Sequence, residues 1–426
     1  MSGRACWVAI AVAAIGLTAC GTGGDEETGG ANVLNWYVFN EPGGAFKDAA
    51  KSCNEQSGGR YEIKIVPLPT DANQQRELIV RRLAAEDESV DLIGMDVIWT
   101  AEFAEAGWIK EWKGQDARQA VEGAIPATVE TARYQDRLFA APYTSNAQVL
   151  YYRKDLVPQP PQTWDEMIEI GERLGDKGLI QIQGARYEGL TVWFNTLVES
   201  AGGSVLDEEG AVSLGDPAVK AAEIMSRLAS SSVADPALSN NREDQARLNF
   251  EAGNSAFELN YTFAFASARD AVDKAPDAAA KKAAQEFFDN IGVARYPRAV
   301  PEEPSHVTLG GINLGVGEFT NKPDLAFEAV LCLKSQENQL IATEKGGLLP
   351  TSQAAYDTPR FQEALPFGEV LEETIRDGVS RPLVPAYSDI SLAIQDKLHP
   401  PGDVEPEQTI EELEDALDSA REGKLF

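Results

Sequence analysis

Residues 138 to 168, LFAAPYTSNAQVLYYRKDLVPQPPQTWDEMI, constrain this chain more than any other run. Leu138 to Ala141 is apolar and bounded by Pro142, so it reads as the end of a strand leaving one packed unit. Tyr143, Thr144, Ser145 and Asn146 then place hydrogen-bonding side chains on a short connection. Val149 to Tyr152 resumes a strand in a second unit. After a proline-rich turn, Thr163 and Glu166 have the spacing of a capping box, and Trp164, Met167, Ile168, Gly171 and Leu174 follow at helical spacing. A passage of this kind requires two packed bodies with chain crossing between them.

The rest of the chain fits that requirement. At 426 residues it exceeds one ordinary core, and two lobes of roughly 150 to 200 residues each are expected. Strands are expected at 33–38, 61–68 and 90–97, with helices at 46–56 and 74–85 between them. This alternation calls for an α/β fold with a parallel sheet, helices on both faces and ligands at the carboxyl ends of the strands. Those ends carry Asn40 and Glu41 after the first strand and Asp96 and Trp99 after the third. Further on, a helix at 243–252, a strand at 256–265, a helix at 271–288, a strand at 306–316 and a helix begun by Pro323 are expected. The glycines and proline of 346–351 mark another crossing. The expected division is 32–142 with 306–349 as lobe one and 143–305 with 350–426 as lobe two, joined by a multi-segment hinge.

A formal net charge of −31 and the lack of a basic stripe exclude nucleic acid as the main partner and favour a neutral ligand. The first nineteen residues read as an export signal. Arg4 supplies the positive end, Trp7 to Leu17 the short apolar run, and Leu17-Thr18-Ala19-Cys20-Gly21 the lipoprotein cleavage box. Acylation of Cys20 and a flexible tether over 20–31 follow, putting the protein on the outer face of the cell membrane. No later run is long and apolar enough to span a bilayer. Cys53 and Cys332 remain in the folded part, on two helices that each turn them inward; they form either a disulfide or two buried free thiols.

Enzyme chemistry has little to stand on. The only histidines, His306 and His399, lack a supporting motif, and no metal-spaced cluster, phosphate-binding glycine loop or nucleophile elbow occurs. No cofactor or metal is expected. Asp96 and Glu243 are the carboxylates that a glycosidase could use. More prominent are the rings of Trp36, Trp99, Trp193, Tyr261 and Tyr387, set in the sequence near Asn40, Glu41, Asp96, Asn146, Glu243 and Arg381. Rings stack on the apolar faces of sugars, and planar polar groups bond adjacent hydroxyl pairs. That combination suits carbohydrate.

APYTSNAQVLYYRKDL followed by PPQTWDEM, and the later GGLLPTS, resemble the solute-binding proteins that feed bacterial ABC sugar importers. DVIWTAEFAEAGW, TVWFNTLVESAGGSVL and HVTLGGINLGV are similar, more narrowly, to the trehalose-binding lipoproteins of actinobacterial importers. The resemblance implies a two-lobed, periplasmic-binding-protein-like receptor that closes on a disaccharide, trehalose first, with maltose-type sugars or other neutral glycosides as alternatives. It implies delivery by a monomeric receptor to two permease subunits and their ATPase. By matching position, it assigns sugar hydroxyl contacts to Asp96, Asn146, Glu243 and Arg381 and a backbone contact to Gly311. Tyr261 falls where that family carries a tryptophan, so a ring is kept with a different area and donor.

Overall fold

A computed structural model describes residues 32–41, 43–207 and 209–424. The expected signal, Cys20 and the tether lie outside the described residues. In chain order the strands are β1 (Asn32–Phe39), β2 (Tyr61–Leu68), β3 (Leu92–Asp96), β4 (Arg133–Tyr134), β5 (Arg137–Leu138), β6 (Ala140–Asn146), β7 (Val149–Arg153), β8 (Leu179–Gln181), β9 (Ser255–Asn260), β10 (Ile291–Ala294), β11 (Thr308–Val316), β12 (Leu349–Pro350) and β13 (Val379–Ser380).

Two sheets carry the two lobes. The first runs β12-β6-β11-β3-β1-β2, with β13 also on β11; the second runs β10-β7-β9-β8. β3, β1 and β2 are mutually parallel, as strand–helix alternation demands, but β11 runs antiparallel to both β3 and β6. The sheet is therefore mixed rather than parallel, because β11 enters from the other lobe instead of following a crossover helix. Each lobe has its own core. One is centred on Trp36, Phe46, Phe103 and Leu314, the other on Trp164, Trp193, Phe194 and Phe257. Ile125 packs with the second core although its neighbours in sequence belong to the first, since its backbone N–H donates to Thr351 O at 2.8 Å.

The Ala45–Gln56 helix buries Phe46, Ala49, Ala50 and Cys53 on one face. The Pro323–Leu333 helix packs beside it, with Cys53 and Cys332 sulfurs bonded at 2.09 Å across a sequence separation of 279. Thr163 caps the Trp164–Leu174 helix by accepting from Glu166 N at 3.2 Å.

Three strands make the crossing. Gly310 and Gly311 of β11 pair with Asn146 and Ser145 of β6, and Leu349 and Pro350 of β12 pair with Ser145 and Thr144. Pro142 does not end the strand, contrary to the expectation from sequence. β6 continues to Asn146, and the register slips opposite Pro142 and Thr144, leaving Tyr143 as the extra residue. Proline has no N–H for the ladder, and a bulge absorbs that loss within the sheet. Gly311 sits at φ +134°, and a Cβ there would stand 2.2 Å from Thr144 O, so the close approach of β11 to β6 requires glycine.

Two other expectations change. The expected strand 256–265 stops at Asn260, and Phe263–Asp273 is a helix. Pro276 then prevents that helix from running into the next, Ala278–Asp289, so the expected helix 271–288 is parts of two.

Candidate functional site

The carboxyl ends of β1 and β3 lie together at the edge of lobe one. Tyr37 pairs with Ile93, which puts Asn40 level with Asp96 three residues further along. Ile312 of β11 pairs with Asp96, and Val97 N donates to Gly311 O at 3.3 Å, so Asp96 stands directly against the crossing strands. β13 pairs with Thr308 and Leu309 and ends at Ser380, which delivers Arg381 to the same place.

Arg381 is the centre of the arrangement. Its Nη2 donates to Asp96 Oδ1 at 2.9 Å and its Nη1 to Glu188 Oε1 at 2.6 Å, while its side chain is only 2% exposed. Burial alone would disfavour the guanidinium charge, but Asp96, Tyr387 and Glu188 outweigh it and hold the pKa well above its ordinary value. Glu188 also accepts from the hydroxyls of Tyr387 and Ser391. Arg381 thus bridges a carboxylate of lobe one to one of lobe two.

Tyr261 and Glu243 complete the lobe-two side. Tyr261 follows β9, and burial, with the nearby charges of Glu243, Asp96 and Glu188, raises its hydroxyl pKa. Glu243 opens the Glu243–Glu251 helix; burial pushes its carboxyl up, opposed by hydrogen bonding and by Arg242. Tyr187 lies beside Glu243, with the Arg242 guanidinium 4.8 Å from its ring centre. Arg242 reaches across to Asp71 of lobe one in a second interlobe ion pair. Two buried polar atoms here have no hydrogen-bond partner: Asn146 Oδ1 and Arg381 Nε. Buried polar atoms normally find partners, so these stand out beside the Arg381 cluster.

The residues expected from sequence therefore divide. Asp96, Glu243, Tyr261, Arg381 and Tyr387 converge, and Asn146 and Gly311 sit on the adjoining crossing strands. Asn40 is exposed at the lip of lobe one. Glu41 does not join them as a free carboxylate. Its two oxygens accept from Gly43 N at 2.5 Å and Ala45 N at 2.7 Å, capping the Ala45–Gln56 helix.

The tryptophans are corrections. Trp99 is 2% exposed and stacks on Phe103 at 5.8 Å inside lobe one. Trp193 is fully buried and stacks on Trp164 at 6.0 Å, in a helix whose residues 188–198 are all buried. Trp36 is fully buried against Phe46. A ring at an element end looks the same in sequence whether it faces a cleft or a core, and packing chose the core.

Glu188, Tyr187 and Arg242 went unnoticed in the sequence. The only signal for Glu188 was an acidic residue opening an otherwise apolar helix; its partner Arg381 is 193 positions away. His306 and His399 each bond a backbone carbonyl through one ring nitrogen, Asp377 O at 2.7 Å and Ser239 O at 3.0 Å. Among the described residues, no cluster of His, Cys, Asp and Glu could hold a metal, and no helix is long and apolar enough to cross a membrane.

Known proteins share this architecture. T. maritima MalE3 with maltose bound is 28% identical and superposes with a TM-score of 0.81, covering 91% of this chain and 99% of that one. The GacH receptor of Streptomyces glaucescens, 20% identical, matches in fold with a TM-score of 0.78 over 92% of this chain and 98% of its own. In sequence, a Deinococcus radiodurans protein described as a probable ABC transporter-binding protein is 28% identical over 338 residues, 75% of this chain and 76% of its own length. The family profile described as bacterial extracellular solute-binding protein matches residues 39–340, and the chain belongs to that family.

Proposed function

We propose that the protein captures a neutral disaccharide between its lobes and hands it to an ABC importer, with trehalose the first candidate. The observation that carries this reading is Arg381, held between Asp96 and Glu188 with Tyr261 and Glu243 alongside. Such planar polar groups match adjacent sugar hydroxyls, and the Tyr261 ring offers an apolar face to a pyranose. The two unpartnered atoms, Asn146 Oδ1 and Arg381 Nε, add an acceptor and a donor of the kind hydroxyls satisfy. The runs DVIWTAEFAEAGW and HVTLGGINLGV support trehalose through their similarity to the LpqY-type trehalose-binding lipoproteins.

A maltose-type ligand is the second reading, favoured by the likeness to maltose-bound MalE3 over nearly the whole chain. A hydrolase using Asp96 and Glu243 is a weaker one, because the relatives are binding proteins and Asp96 is engaged by Arg381. In the favoured reading the protein works as a monomer, lipidated at Cys20, outside the cell membrane, and docks on two permease subunits driven by an ATPase. Calorimetry against trehalose, maltose and glucose tests the ligand. One-to-one binding of trehalose tighter than maltose is expected; preference for maltose overturns trehalose, and heat from neither overturns the disaccharide reading. Product release during prolonged incubation with either sugar would revive the hydrolase.

A further inference from the structure

Asn260 closes β9 as a fully buried residue, and its side-chain amide makes three hydrogen bonds. One Nδ2 proton goes to Glu258 Oε1 at 2.6 Å and the other to the backbone O of Glu243 at 3.0 Å, while Oδ1 accepts from Tyr261 N at 2.9 Å. The two acceptors both demand Nδ2, and the Tyr261 N–H demands Oδ1. Rotating the amide by a half turn would set oxygen against two acceptors and N–H against N–H, so one orientation is allowed.

The consequence reaches the candidate site from beneath. Tyr261 is fixed at both ends of its backbone, since its carbonyl accepts from the Tyr151 hydroxyl at 3.0 Å while its N–H is held by Asn260. The same amide pins the first residue of the Glu243–Glu251 helix. Glu258 and Asn260 are two apart on one strand and share a face, so the carboxyl lies where it can anchor the amide.

We propose that Asn260, anchored by Glu258, is a positioning residue that locks Glu243 and Tyr261 into one binding-competent arrangement. This rests on the reading of Glu243 and Tyr261 as ligand contacts. A chemical handle follows from the surroundings of Glu258: Glu251 and Arg247 of the Glu243–Glu251 helix and Tyr151 of β7. Burial pushes the Glu258 carboxyl up to about 8, with Glu251 adding to the rise and Asn260 and Arg247 opposing it. Around that pH the anchor changes from a neutral acceptor to a charged one, and its grip on Nδ2 strengthens. A residue with only a packing role would show no such dependence.

The test is calorimetry of the full chain with trehalose and with maltose from pH 6 to 9.5. Expected are a wild-type Kd that inflects near pH 8, loss of that inflection in Glu258→Gln, and at least ten-fold weaker binding in Asn260→Ala at unchanged circular dichroism. Glu243→Gln and Tyr261→Phe serve as controls for the site itself. If they bind as tightly as wild type, or wild type binds neither sugar, the site reading falls and this proposal with it. If they weaken binding but the inflection survives in Glu258→Gln, positioning is overturned. Affinity within two-fold of wild type in a folded Asn260→Ala overturns it equally. Glu258→Gln decides the matter should Asn260→Ala not fold.

Discussion

Replacing Arg381 by methionine is the perturbation whose size the structure sets most tightly. The guanidinium makes two charge-assisted hydrogen bonds, to Asp96 and to Glu188, each contributing about 1.5–3 kcal/mol. Its loss does not affect the two carboxylates equally. Asp96 is 23% exposed in its side chain and can turn to water, whereas Glu188 is 10% exposed and would keep its charge without a cation. Stranding one partner of a buried pair costs about 3–5 kcal/mol. The hydroxyls of Tyr387 and Ser391 still donate to Glu188, which puts the expected cost near the lower end, about 3 kcal/mol. Asp96→Asn, by contrast, leaves Arg381 paired with Glu188 and should cost about 1 kcal/mol. Urea denaturation of both variants, with disaccharide titrations in parallel, measures the difference. Arg381→Met should be the more destabilised of the two and bind no sugar. A destabilisation below about 1 kcal/mol, or one smaller than that of Asp96→Asn, would refute the bridging role.

Other outcomes follow from particular contacts. Replacing Cys53 and Cys332 together by serine should lower stability by about 5 kcal/mol, since the bond closes a loop of 279 residues, and the unreduced wild-type mass should be two hydrogens lighter than the reduced one. Gly311→Ala places a methyl group 2.2 Å from Thr144 O at φ +134° and should cost about 2–3 kcal/mol in a thermal melt; a variant as stable as wild type would mean the strands part readily there. Glu258 is raised in the fold from 4.5 to about 8, so its contribution is fully present below pH 4.5 and is lost as pH rises to about 8. Glu258→Gln should therefore flatten the stability profile across that window, and be more stable than wild type relative to its own acid limit at pH 8; an unchanged profile would contradict a buried neutral carboxyl.

The crossing was legible because it rests on local chemistry: an apolar run, a proline, a polar cluster and glycines leave few alternatives to a strand that changes lobes. Thr163 with Glu166, Pro323 at a helix start and the alternation of β2 were legible for the same reason. The direction of β11 was not, since pairing direction depends on where the chain comes from, and β11 arrives from lobe two. In the candidate site, Asp96 and Arg381 could be picked out, but Glu188 could not. An acidic residue at a helix start is ordinary in sequence, and only its approach to an arginine 193 residues away makes it a partner. The tryptophans erred in the opposite sense. Trp164 and Trp193 stack on each other in the lobe-two core, where losing either ring would cost about 3–5 kcal/mol. Periodicity cannot tell such a ring from one offered to a ligand. Phe263 and Phe265 misled similarly, continuing an alternation that the backbone abandons at Asn260.

In the proposed complex one sugar is held by residues of both lobes at once. Asp96→Asn removes a lobe-one carboxylate and Glu243→Gln a lobe-two one, so calorimetry of these two variants against the disaccharide that wild type prefers is the decisive test. Each substitution alone should weaken binding at least ten-fold while melting temperature stays within a few degrees of wild type. Wild-type affinity in either folded variant would contradict it.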